Sequence, residues 1–109
     1  MPFRKEQVAR NESLFREVNE RIKQVNVGLV SSEECDFLCE CGDRDCMQPV
    51  TMTLSEYEEV RSESTYFAVA PGHVDPDVER VVAENDRFVT VEKVAPEAVE
   101  IVEDDDPRS

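Results

Sequence analysis

Cys39-Glu40-Cys41, followed after four residues by Cys46, gathers three thiols into one short stretch. Such spacing suits a metal ion. Zinc takes four ligands in a tetrahedron, with Zn–S about 2.3 Å and Zn–N about 2.0 Å, so its thiolates must converge from tightly turned backbone. Two cysteines two apart on an extended segment point to one side, and Gly42 tolerates the positive φ that brings the chain back toward Cys46. The single histidine ends the run Ala70-Pro71-Gly72-His73, which fits a type II turn with Pro second, Gly third and His fourth. The expected ligand set is Cys39, Cys41, Cys46 and His73, and the expected ion is Zn²⁺. Cys35 competes with His73 for the fourth place. On an extended strand, however, it lies about 13 Å from Cys39, too far to share one ion. It reads instead as a small core hydrophobe beside Phe37. The bland alternative is three reduced cysteines without a metal.

Three thiolates and a neutral imidazole fill all four positions, which argues for a structural ion over a catalytic one that keeps a water. Arg44, in the loop, offsets the net charge of about −1 on such a site. Structural zinc supplies about 10 to 16 kcal/mol of apparent binding free energy. The chain has no Gly-rich phosphate loop, no His-Glu-x-x-His and no nucleophile elbow. An iron-sulfur cluster is the chemical alternative, because the ligand set resembles that of the CDGSH iron-sulfur proteins with their three Cys, one His and leading Cys-x-Cys. The pattern departs from theirs: Cys46 comes too soon, the Cys-Asp-Gly-Ser run is missing, and His73 stands 27 residues beyond Cys46.

The remaining composition bounds what surrounds this site. The 109 residues suit one small domain, with 6% aromatics and no Trp, so Val, Leu, Ile, five Phe and two Tyr must form the core. Asp and Glu number 26 against 12 Lys and Arg, a formal charge of −14. That field repels a phosphate backbone and disfavours direct nucleic-acid binding. It suits a protein partner with a basic surface, or an acidic nucleic-acid mimic. No stretch approaches the apolar length of a membrane helix, and residues 1–10 lack the apolar core of a signal peptide. The expectation is a cytoplasmic protein, a reducing setting in which clustered cysteines read as ligands.

Elements must then position the ligands, and the expected fold is α+β. Residues 1–28 read as an amphipathic helix, from about Lys5 to Val27, with Val8, Phe15, Val18, Ile22 and Val25 on one stripe and Asn11 its polar position. Glu6 with Arg10, Glu12 with Arg16 and Glu17 with Arg21 form i,i+4 pairs, and Gly28 supplies the C-terminal cap. The stripe packs on its own domain or pairs with a second copy or a partner. Residues 29–95 read as the metal-binding core, a small antiparallel sheet of about four to five strands with one short helix. Its strands are Cys35 to Cys41, Val50 to Leu54, Tyr66 to Ala70, and a hairpin of Val78 to Ala83 with Phe88 to Val94. Ser55 and Glu58 fit a capping box for the short helix, with Tyr57 and Val60 on one face. Residues 96–109 read as an acidic, disordered tail in which Val99, Ile101 and Val102 could serve a partner.

Phe37-Leu38-Cys39-Glu40-Cys41-Gly42, Cys46, Leu54-Ser55-Glu56-Tyr57-Glu58, Arg61 and Pro71-Gly72-His73 resemble the pattern of a set of small actinobacterial-type proteins, over roughly residues 14 to 94. The resemblance implies that the cysteines and Pro-Gly-His form one unit. It brings no established activity. The function expected from the residues is a non-catalytic, zinc-stapled adaptor or regulator. A thiol-based redox or metal sensor is the main alternative, and a small zinc enzyme would require water in place of His73.

Overall fold

The computed structural model describes residues 4–26, 33–41, 46 and 48–106. The order is α1 (Arg4–Val25), β1 (Glu34–Leu38), β2 (Pro49–Thr53), α2 (Leu54–Val60), β3 (Tyr66–Val69), β4 (Glu79–Glu84), β5 (Val89–Lys93) and α3 (Pro96–Asp104). The α+β class and the N-terminal helix agree with the sequence reading. The sheet does not: β1 and β2 pair alone, and the other three strands form a second antiparallel sheet in the order β3-β5-β4. Neither sheet reaches the expected four or five strands, because α2 interrupts the chain immediately after Thr53 and carries it away from the first pair. The expected hairpin is present, with Asn85 closing it by accepting from Arg87 and Phe88 N–H.

The two sheets and α2 share one apolar core. Phe37 in β1 stacks on Tyr57 in α2 at 4.6 Å between centroids, and Val50, Met52, Val60, Phe67, Val69 and Val91 are buried around them. Helix α2 begins two residues earlier than the expected capping box. Its N-cap is Thr53, whose hydroxyl accepts from Glu56 N–H, and Glu56 returns to Thr53 N–H. The earlier start turns Leu54 inward together with Tyr57 and Val60. Residues 96–104 are helical, with Pro96 in the first turn and Ala98 and Val102 buried one turn apart, so this acidic segment docks where disorder was expected. The expected cap Gly28 lies outside the described residues.

Helix α1 packs on α3 and β1 with an inverted face. Ala9, Glu12, Ser13, Arg16, Asn19 and Glu20 point inward, while Leu14, Val18 and Val25 are exposed, Val25 by 84%. The expected apolar stripe is thus corrected: Val8 and Ile22 only flank the core, Phe15 is half-buried, and a polar stripe makes the contact. The reason lies on the opposing surface. Lys93 on β5 is fully buried and lies 2.6 Å from Glu12 and 2.6 Å from Glu79. Arg16 donates to the carbonyls of Ser64 and Val102 and lies over the Phe67 ring at 4.6 Å. Arg61, at the end of α2, is held by Glu20 at 2.7 Å and by Asp106. A buried ion left unpaired costs several kcal/mol, so Lys93 and Arg61 require the acidic residues that α1 delivers.

Among the described residues, five buried carboxylates, on Glu12, Glu20, Glu40, Glu79 and Asp106, face three buried cations, on Arg16, Arg61 and Lys93. Burial raises the pKa of Glu12 well above the ordinary carboxylate value and pushes Glu40 up to about 7. Retained protons on such groups bring the interior toward neutrality.

Candidate metal centre

Strand β1 delivers the first two cysteines. Its ladder runs antiparallel to β2 with Cys35 opposite Met52 and Phe37 opposite Val50, and Cys39 N–H extends the pairing to Gln48 O at 3.0 Å. Just beyond the strand, Glu40 turns inward and is fully buried, while Cys39 and Cys41 turn toward the thiol cluster. Glu40 is bolted on two sides. Its N–H donates to Ala68 O at 2.8 Å, its carboxylate accepts from Ala68 N–H at 2.9 Å, and the other oxygen accepts from Asn19 Nδ2 at 2.8 Å. Asn19 also accepts from Leu38 N–H and donates to Leu38 O, so a helix side chain serves as a third strand at the end of β1.

The Pro71-Gly72 turn delivers the histidine. His73 N–H donates to Ala70 O at 3.0 Å and Gly72 sits at φ +87°, the geometry of the expected type II turn. The same turn begins at Ala70, whose N–H donates to Cys39 Sγ at 3.1 Å. That bond fixes the imidazole loop against the first thiol.

Cys39, Cys41, Cys46 and His73 converge, with one ligand atom from each lying within 4.8 Å of every other. Cys39 Sγ and Cys46 Sγ each stand 3.6 Å from His73 Nδ1. A tetrahedral ion with the bond lengths of zinc would separate sulfur from nitrogen by about 3.5 Å. The four groups are therefore close enough to hold one metal ion, with spacings compatible with zinc. Cys39 is buried; Cys41, Cys46 and His73 are half-buried. Two of the thiols, on Cys39 and Cys46, resist ionisation. The Cys39 thiol is raised by its hydrogen bond with Cys41 and by burial, against the lowering effect of Ala70 N–H, and Cys46 is raised chiefly by burial. A cation reverses this balance by stabilising the thiolates it binds.

Cys35 stays out of the group and packs, half-buried, against the core. Arg44, expected to offset the charge, lies outside the described residues. Sequence reasoning missed Asn19 and Glu40 as the residues that orient the Cys-x-Cys segment. The available signal was parity: a residue between two ligands on extended backbone faces away from the metal, and a carboxylate there needs an interior partner.

No family model, curated protein or solved structure matches the chain. No helix among the described residues is long and apolar enough to cross a membrane.

Proposed function

We propose that this is a small zinc-binding protein in which Cys39, Cys41, Cys46 and His73 ligate one structural Zn²⁺, and that it acts as an adaptor or regulator through protein contacts. The observation that carries the metal reading is the convergence of three sulfurs and His73 Nδ1 within 4.8 Å, at the sulfur–nitrogen spacing a tetrahedral zinc requires. Four protein ligands close the coordination sphere, which favours a structural over a hydrolytic role. The ion would join the end of β1, the segment before β2 and the turn after β3, and so link the two sheets. The adaptor role draws on the charge of −14, which suits a basic partner in the cytoplasm.

Elemental analysis of the purified protein tests this reading, with one zinc per chain expected. Cys46→Ser and His73→Ala should each lose tight binding, and a strong chelator should unfold the chain. A metal-free protein that is fully folded and as stable as the purified form would overturn it.

The half-buried state of Cys41, Cys46 and His73 favours a second reading, a thiol-based sensor that releases zinc when its sulfurs are oxidised. Stoichiometric zinc release under mild peroxide, reversed by a reductant, would select it over a purely structural site.

A further inference from the structure

Between α2 and β4 runs a groove of about 230 Å³, with Val60, Tyr66, Val82 and Phe88 among its apolar lining residues. Small-molecule pockets usually enclose about 300 to 1,000 Å³, so this volume suits one large side chain better than a whole ligand.

Strand β4 adds a second feature. It is an edge of the sheet, and among the described residues no strand pairs with its outer side. Strands normally alternate their side chains, but the register shift between Val81 and Ala83 breaks that alternation. Every residue from Arg80 to Glu84 is exposed, Val81 and Val82 by 46% and 38%. An edge that no strand covers and that exposes apolar side chains offers its free backbone groups to an added strand, although its bulge and its charged Arg80 and Glu84 limit the length that can pair.

Charge selects the occupant. Glu59 and Glu84 line the groove, are exposed, and form no ion pair among the described residues, whereas Glu56 at the same groove is already held by Arg87 at 2.6 Å. A second copy of the chain would bring another −14 to this acidic surface. A cationic segment is drawn to it.

We propose that the groove and the adjoining edge of β4 form a docking surface for an extended, basic segment of a partner protein that inserts one aromatic or large aliphatic side chain between Val60 and Val82. The proposal rests on the adaptor reading and names its partner's chemistry. The anchor supplies affinity by burial, backbone pairing along β4 supplies direction, and lysines or arginines beside the anchor meet Glu59 and Glu84. The surface shares no residue with the metal centre.

The test uses the zinc-loaded full chain and the peptide acetyl-Lys-Arg-Val-Phe-Val-Arg-Lys-amide, followed by backbone amide NMR. Shift changes should concentrate at Val82, Ala83, Phe88 and Thr90. Serine in place of the central phenylalanine should weaken binding by about tenfold or more, and Glu59→Lys with Glu84→Lys by about tenfold, equivalent to ~1.4 kcal/mol. Val82→Glu is the discriminating variant, since it adds negative charge while removing the apolar wall. Docking in the groove requires weaker binding; unchanged or tighter binding would mean charge attraction alone and would overturn the proposal. Shifts confined to α1 or α3 would also overturn it while leaving the adaptor reading intact, and no binding at millimolar peptide would sink the groove as a site. Zinc content and circular dichroism of each variant separate these results from a failure to fold. Broadening at the same residues that grows with protein concentration without peptide would assign the surface to self-association and reject the basic partner.

Discussion

Asn19 and Glu40 meet side chain to side chain at 2.8 Å, although one lies on the first helix and the other between two candidate ligands. Through this contact, and through the Asn19 bonds to both backbone groups of Leu38, the position of α1 and the direction of the Cys-x-Cys segment are set together. Asn19→Ala would strand an N–H, a carbonyl and part of a carboxylate in the interior. We expect a loss of about 3 kcal/mol in urea unfolding and weaker zinc retention in a competition titration. Asn19→Asp should fail as well, since it keeps the acceptor for Leu38 N–H but sets a second carboxylate against Glu40.

Gly72 tests the histidine turn separately. A Cβ there would meet nothing within 4 Å, so the cost of Gly72→Ala is backbone strain at φ +87° alone. That strain is about 1 to 2 kcal/mol for an L-residue. Relief by relaxing the turn would move His73, so zinc affinity should fall by roughly tenfold. Gly72→Asn, which tolerates the left-handed region better, should recover part of the loss. Equal zinc affinity in all three proteins would show that the turn does not position the ligand.

Arg61 joins α2 to two other segments through Glu20 and Asp106, with its side chain only 1% exposed. Removing one member of a buried ion cluster leaves its partners uncompensated. Arg61→Ala should therefore destabilise by about 3 to 5 kcal/mol, read as a shift of the denaturation midpoint. Arg80→Ala, whose pair with Glu92 is largely exposed, is the control and should cost less than about 1 kcal/mol.

The pH response follows from Glu12 on α1 and Glu79 on β4, which face Lys93 on β5, with Asp75 adding negative charge near Glu79. Burial raises both carboxyls above their ordinary value of 4.5 in the folded chain. The native state then binds more protons than the unfolded state above pH 4.5, so this cluster loses stability as pH rises from there through the raised folded values. Glu12→Gln imitates the protonated form. Its stability relative to wild type should improve steadily above pH 4.5, measured by denaturant titration at several pH values. A constant difference across that range would refute the assignment.

The turn that carries His73 was legible in the sequence because local chemistry dictates it: a Pro-Gly pair permits few turns, and Gly72 adopts the positive φ that the turn requires. The inward face of α1 was not legible. Periodicity located a stripe through Val18 and Val25, yet the surface that receives the helix carries Lys93, Arg61 and the carbonyls of Ser64 and Val102, none local to it. The start of α2 was ambiguous for a different reason. Thr53 with Glu56 and Ser55 with Glu58 both satisfy the capping pattern, and the end of the β2 pairing at Thr53 decided between them. In α3 the signals were Pro96 and the spacing of Ala98 and Val102, which outweighed the acidic composition.

The charged underside of α1 also bears on the order in which the molecule assembles. A greasy helix joins a collapsing chain early and finds its register later; this one gains little until its receptors exist. Those receptors come late in the chain, since Arg16 reaches residues 48 and 86 positions away. Loop closure over such spans must precede any reward. We expect α1 to lock last, so that Arg16 variants speed unfolding while leaving the refolding rate nearly unchanged. Stopped-flow kinetics on these variants would show it. By the same logic, the helix that precedes every other described element in sequence would be the last to settle.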